Sequence, residues 1–294
     1  NFNEASSYAD NETGFPFDIV PNIVHYVRLE NPYLDFITFI SIKSVLINHK
    51  PEAIWIHCDF DELKGKYCDL IRNQTGNSNR NLNAATQGKQ TQTQTQTPTP
   101  TPTQTQTPTQ TQVIVKRIKR PAFVFGKKLS SVYHSSDVAR IEILMKYGGI
   151  FLDNDVFVVK SLNHFRKFEF TIGWPHGEFL GTQVLIGHNN ARFLKLWHDS
   201  YINYRPTSWY YNAGQLPTEK FLIQNPGLVH RVQTEFGVHN LVQMLYNENY
   251  PFWETEFYAI HLLARHRSYL MPRDRVKYFN EINIKTYNRT FGQM

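Results

Sequence analysis

Four side chains in one short stretch are spaced for chemistry. Asp153 and Asp155 flank Asn154, directly after the apolar run Ile150-Phe151-Leu152. In an extended backbone residues i and i+2 point to the same side, so the spacing predicts that both carboxylates converge on one point while Asn154 faces away. Two carboxylates this close repel unless a cation sits between them, and oxygen ligands of this kind suit Mn2+ or Mg2+. Upstream, Asp137 and Arg140 lie three apart and share a helix face. Such a pair sets a carboxylate that accepts hydroxyl protons beside a guanidinium that grips a phosphate or a sugar edge. Together the two pairs make a site for a phosphorylated, hydroxyl-rich ligand.

The elements that must hold these residues are legible around them. Val138, Ile141, Leu144 and Met145 recur at spacings of three and four, which predicts one buried helix face. Gly148-Gly149 ends that helix, because glycine accepts the left-handed backbone of a helix C-terminus, and Ile150 to Leu152 begins a buried strand. A second D-x-D triplet, Asp59-Phe60-Asp61, follows the apolar run Ala53 to Ile56 but has no Asp/Arg helix before it. It is expected to be a solvated loop.

The stretch SDVARIEILMKYGGIFLDND, Ser136 to Asp155, resembles glycosyltransferase family 32, the DXD-motif sugar-binding region shared with the alpha-1,4-glycosyltransferases and, in outline, with the clostridial glucosylating toxins. The likeness is close over about residues 130 to 160. It is looser at the flanks, where PNIVHYV, Pro21 to Val27, is similar to the family's first strand. The resemblance implies a GT-A fold and a Mn2+-dependent transfer from a nucleotide sugar that retains anomeric configuration. It implies that Asp155 binds the metal directly, that Asp153 helps hold metal and ribose, and that Asp137 and Arg140 contact the donor sugar and its diphosphate, with Ser136 beside them. In the toxin relatives an aromatic after the first strand stacks on the nucleobase. Here that position is Arg28, which leaves Tyr26, with Val27 next to it, as either a base contact or core. In a GT-A protein Thr182 and Gln183 would face the metal and touch the transferred sugar, or else simply start a strand. Such enzymes often close the metal site with a histidine near the C-terminus, for which His261, in a predicted helix from Tyr258 to Arg267, is the candidate.

The implied activity is transfer of a hexose or N-acetylhexosamine, from a UDP-sugar foremost, to a glycan, glycolipid or glycoprotein. A sugar- or nucleotide-binding protein without activity and a nucleotide-sugar hydrolase are the alternatives. Trp209-Tyr210-Tyr211-Asn212-Ala213-Gly214 puts aromatics beside a glycine turn, so Tyr211, Asn212 and Gly214 are acceptor candidates, with core packing as the rival reading.

The whole chain has 294 residues, enough for a large α/β domain. Strand, helix, strand over Pro21 to Ile56 predicts a mixed, mostly parallel sheet with its ligand beyond the carboxyl ends of the strands. Further strands are expected at Phe168 to Gly173 and Val184 to Gly187, and a helix from Ala191 to Tyr204. Residues 1–14 read as a polar stem and 15–294 as one domain. The domain is interrupted at 73–112 by a Thr/Gln/Pro-rich insertion with too few apolar side chains to fold. The net charge of +6 is concentrated in Val113 to Lys128, which has six basic and no acidic residues. No nucleic-acid-binding pattern accompanies it, so nucleic acid is not an expected partner. Sequons at Asn11, Asn73 and Asn288 point to a secretory location such as the Golgi lumen, with any membrane anchor lying outside this chain. Cys58 and Cys68 are either bridged or buried thiols. Motifs for ATP, serine-hydrolase, zinc-protease and dinucleotide chemistry are absent.

Overall fold

The computed structural model describes residues 10–74, 110–238, 241–270 and 276–294. Strand β1 (Ile23–Arg28) leads into helix α1 (Phe36–Ser44), whose N-terminus is capped by Asp35 accepting from the Thr38 amide at 2.8 Å. A π-helical turn, Val45–His49, extends α1 and stops at Lys50, which adopts a left-handed φ of 55°. Then follow β2 (Ala53–Cys58), α2 (Lys66–Gln74), β3 (Gln112–Arg117) and a small hairpin of β4 (Phe123–Val124) and β5 (Lys127–Lys128). The central stretch forms α3 (Val132–Tyr147), β6 (Gly149–Leu152) and β7 (Val156–Val158). Beyond it lie β8 (Phe170–Gly173), β9 (Val184–Gly187), α4 (Arg192–Ser200), β10 (His230–Val232) and β11 (Ala259–His261).

Seven strands form one sheet in the order β10-β8-β9-β6-β1-β2-β3. Every neighbouring pair is parallel except the two that involve β9, so β9 alone runs against the rest. This is the expected α/β architecture with a mixed, mostly parallel sheet. Alternation along the strands divides the core in two. Val24 and Tyr26 of β1 with Ile54 and Ile56 of β2 face the layer that contains α1. Val27 of β1 and Phe151 of β6 face α3 and α4, where Val138, Ile141, Leu144, Phe193 and Trp197 are buried.

Several expectations are corrected here. Residues 10–14 are not a loose stem: Asn11 is buried, its amide donating to the Gly227 carbonyl at 3.0 Å while its Oδ1 accepts from the Phe170 amide. Burial of that side chain removes Asn11 as a glycan acceptor in the folded chain, whereas Asn288 is exposed. The helix expected from Tyr258 to Arg267 is instead β11, followed by a 3-10 helix, Ala264–Leu270. Pairing with β7 overrides local helical rhythm there. The insertion is narrower than expected at both ends, since α2 runs to Gln74 and β3 starts at Gln112; residues 75–109 lie outside the described residues. Cys58 and Cys68 are free and buried.

Candidate functional site

Helix α3 begins at Ser131, whose side chain accepts from the His134 amide, and ends at Gly148, which closes the last turn by donating to the Leu144 carbonyl at 2.8 Å. The double glycine is required by geometry. Gly148 and Gly149 have φ of 64° and 112°, and a Cβ on Gly149 would come within 2.6 Å of the Ile23 carbonyl. This sharp turn drops the chain from α3 straight into β6, so helix and strand share one end of the sheet.

That end gathers the candidate residues. β6 runs parallel to β1, and β9 runs back against it, with Leu152 opposite Val184. The residues after β6 therefore meet those before β9: the Asp153 amide donates to the Gln183 carbonyl at 3.0 Å. The D-x-D segment is a turn and not an extended strand, closed by the Val156 amide on the Asp153 carbonyl at 3.1 Å. Strand alternation consequently does not align the two carboxylates, and each has a different partner. Asn154 ties the turn to the sheet by donating to the Val27 carbonyl at 2.7 Å.

Asp153 faces Arg140 at 3.2 Å, and Arg140 faces Asp137 at 3.1 Å. The guanidinium is buried: Nε donates to the Ser136 carbonyl, Nη1 to the Thr182 carbonyl and Nη2 to Ser136 Oγ, while Asp153 and Asp137 pair with it as ions. Arg140 therefore holds two carboxylates in place. It also lies 4.7 Å from the centre of the Phe151 ring. Burial lowers and the two carboxylates raise its pKa, with a net rise. Burial pushes the Asp137 carboxyl above its ordinary value, against the pull of Arg140.

Asp155 faces His261, with Oδ1 and Nε2 3.1 Å apart. The antiparallel register of β7 and β11 causes this, setting His261 opposite Val156, and the Leu262 amide donates to the Asp155 carbonyl at 2.8 Å. Burial works against both charges, but their mutual attraction prevails: His261 is raised and Asp155, with Arg265 also acting on it, is lowered. A carboxylate and an imidazole converging on one point, with Asp153 next in the turn, are donor chemistry that fits Mn2+ or Mg2+. Among the described residues no group of three His, Cys, Asp or Glu is arranged to hold an ion.

Other expected contacts fall away. Tyr26 is fully buried, sharing a hydrogen bond with Ser41, and Val27 is core, so neither side chain reaches a ligand. Arg28 is buried as well, donating to the Asn31 carbonyl and to Thr38. Gln183 turns its amide to the Phe236 carbonyl, and Thr182 serves the site through its backbone oxygen. Tyr211 is covered by the Arg205 guanidinium at 3.6 Å, Asn212 is buried and accepts from the Arg205 amide, and Gly214 is pressed against the Tyr210 ring. All three take part in packing, and Asn212 also lines the pocket beside Asp137.

Sequence reasoning missed Arg265, Tyr201 and Tyr210. Tyr201 sits behind Asp137 with a buried hydroxyl that finds no hydrogen-bond partner, and the Tyr210 hydroxyl donates to the Leu180 carbonyl at 2.5 Å. No local signal marks them, since Tyr201 continues the inward face of α4 like any core aromatic. A narrow pocket opens beside Asp137, walled by His134, Tyr201, Tyr204 and Trp209.

Residues 62–171, which include all four residues of the central stretch, match the family model described as glycosyltransferase sugar-binding region containing DXD motif. The chain is 26% identical over 211 residues to glucan organizing enzyme 1 of Cryptococcus neoformans, covering 65% of this chain and 46% of that protein. It is 36% identical over 87 residues to lactosylceramide 4-alpha-galactosyltransferase of the mouse, covering 29% and 23%. The chain thus spans less than half the length of these relatives. Among solved structures it is similar to the PaToxG glycosyltransferase (15% identity, 77% of this chain and 76% of that one, TM-score 0.42). It is also similar to galactosyltransferase LgtC in complex with donor and acceptor sugar analogs (13% identity, 82% and 87%, TM-score 0.41). The resemblance carried by Ser136 to Asp155 falls within the region that matches the family model.

Proposed function

We propose that this chain, built around the glycosyltransferase DXD region at residues 62–171, is a GT-A glycosyltransferase that moves a hexose or N-acetylhexosamine from a nucleotide sugar to a saccharide acceptor. The observation that carries the reading is the meeting, at one end of the sheet, of the Asp137–Arg140–Asp153 chain and the Asp155–His261 pair. Asp155 and His261 are the residues that would hold Mn2+ or Mg2+, with Asp153 held apart on Arg140. Bound there, the ion supplies positive charge against the departing nucleoside diphosphate.

The remaining work belongs to the chain. Arg140 fixes Asp137 and Asp153 at set positions, so neither carboxylate has to reorganise as charge develops. Asp137, which lines the pocket, is placed to accept a hydrogen bond from a hydroxyl of the donor sugar and so fix its orientation. Among the described residues no carboxylate but that of Asp137 lines the pocket. An incoming hydroxyl that gives its proton to the leaving phosphate on the same face needs no protein base, and this leads to retention of configuration.

The name of the mouse relative makes a galactosyl donor and a lactosyl acceptor the first to try. A Golgi or secretory location is part of the proposal; among the described residues no helix is long and apolar enough to cross a membrane. The test is a donor screen with Mn2+ and UDP-galactose, UDP-glucose, UDP-N-acetylglucosamine or GDP-mannose, reading nucleoside diphosphate release with Asp155→Asn alongside. Release that needs the metal, rises with a saccharide acceptor and vanishes in the variant supports transfer. Release that no acceptor accelerates makes the protein a hydrolase, and nucleotide binding without release makes it a binding protein.

A further inference from the structure

Trp209 and Tyr133 are large aromatics left in the open, 59% and 43% exposed. Their ring centroids are 4.9 Å apart and their planes cross at 64°, which forms an open corner. Trp209 also walls the pocket that ends on Asp137. Leaving two such rings in water is unfavourable, and a paired exposed patch beside a candidate site marks a binding surface.

The corner is held rigidly. His134, one residue along α3 from Tyr133, places Nε2 3.2 Å from the Trp209 carbonyl oxygen. A carbonyl only accepts, so Nε2 carries the proton and Nδ1 accepts from the Tyr204 hydroxyl at 2.5 Å. Tyr204 is in turn fixed by the Ser130 amide at 3.0 Å. Trp209 is therefore pinned by its own backbone and not left to swing on a loop. On the far side Arg265 donates to the Tyr133 hydroxyl at 3.1 Å, and the same arginine acts on Asp155. The corner is thus joined to the Asp137 pocket through Trp209, and Tyr133 to an arginine that acts on Asp155.

We propose that Trp209 and Tyr133 form the platform for the acceptor saccharide. The inference rests on the glycosyltransferase reading and adds where the acceptor sits. A pyranose has an apolar C–H face that covers one ring and an edge of hydroxyl groups that a second ring can flank. Two rings at 64° cannot sandwich a flat base between parallel faces, so the geometry favours a sugar over a nucleobase. Arg265 offers its remaining N–H groups to hydroxyls at the rim.

The test separates this platform from the donor site. With UDP and Mn2+ present, lactose and cellobiose are titrated by saturation-transfer NMR into wild type, Trp209→Ala, Tyr133→Ala and Trp209→Phe. UDP affinity is measured on each by calorimetry. The expected result is a roughly ten-fold loss of saccharide affinity in each alanine variant, most of it restored in Trp209→Phe, with UDP affinity within about two-fold of wild type. Saccharide affinity unchanged in both alanine variants overturns the proposal. So does a parallel fall in UDP affinity, which would make the corner part of the nucleotide site, and so does a wild type that binds UDP but neither saccharide. A wild type that does not bind UDP with Mn2+ brings down the functional reading itself, and the platform with it.

Discussion

The chain carries the same triplet twice, and both copies follow a parallel strand at the same end of the sheet. Asp59-Phe60-Asp61 comes after β2 and Asp153-Asn154-Asp155 after β6. At the first, Asp59 accepts from the Glu30 amide at 3.0 Å, and Asp61 pairs with Arg117 with both side chains largely in water. Screening by solvent makes such a pair worth little. At the second, Asp153 and Asp155 are mostly buried and meet Arg140 and His261. What separates the two is what the neighbouring elements bring. β2 lies between β1 and β3, and the carboxylates beyond its end meet the Glu30 amide and the exposed Arg117, whereas β6 is met by α3, by the start of β9 and by the β7–β11 pair.

Burial also divides the strands themselves. At the end of β6 Asp155 and His261 favour each other's charged form against the cost of burial. On β1 and β2, His25 and His57 are fully buried, 3.0 Å apart, and burial, with Lys116 nearby, lowers them to about 4 and about 3. They are held neutral. Burial penalises charge in both places, and only the available partners decide whether the charge survives.

The largest effect expected from this contrast is in Asp155→Asn. It should lower metal-dependent turnover by a thousand-fold or more, about 4 kcal/mol of transition-state stabilisation, with chelation of the metal doing the same to wild type. Equal turnover in the variant would erase the distinction between the triplets. Next comes Arg140→Met, which leaves Asp137 and Asp153 buried without their partner. Denaturant unfolding should show a loss of about 3 to 5 kcal/mol, and Arg140→Lys should recover little because an ammonium cannot span two carboxylates and a carbonyl.

The third prediction is a pH dependence. His25 and His57 have folded values below the unfolded value of 6.5, so the unfolded chain binds more protons as pH falls. Stability should therefore be fully present above pH 6.5, fall as pH drops towards 4, and level off below about 3 once both titrate in the folded state. The loss is roughly 3 kcal/mol for His25 alone. Replacing both by Gln should flatten the urea midpoint against pH across that interval. The smallest effect belongs to the first triplet: Asp61→Asn should change stability by less than about 1 kcal/mol and leave metal-dependent turnover as it was.

Much of this was readable along the chain. The rhythm of Val138, Ile141 and Leu144 gave α3, Gly148-Gly149 its end, and Ile150 to Leu152 the strand after it. The apolar runs of β1, β2, β8 and β9 stood where strands formed, and Asp137 met Arg140 as spacing on a helix demands. Local rules failed where a long-range partner prevailed. The YAIHLLARHR segment has helical rhythm, yet β7 needed an antiparallel neighbour and drew Ala259 to His261 into a strand. Tyr26 had the type and place of a base contact but points at Ser41 under α1.

The sequence by itself determined the helix, its glycine stop, the following strand and the Asp137–Arg140 pair, because contacts between residues three or four apart are set by backbone geometry alone. Only the tertiary structure decided that Arg140 would reach Asp153, that His261 would reach Asp155 and that Trp209 would stand against Tyr133. Each of these joins residues far apart in the chain or across a sharp turn. Their meeting follows from sheet order, strand register and helix packing, which no local spacing encodes.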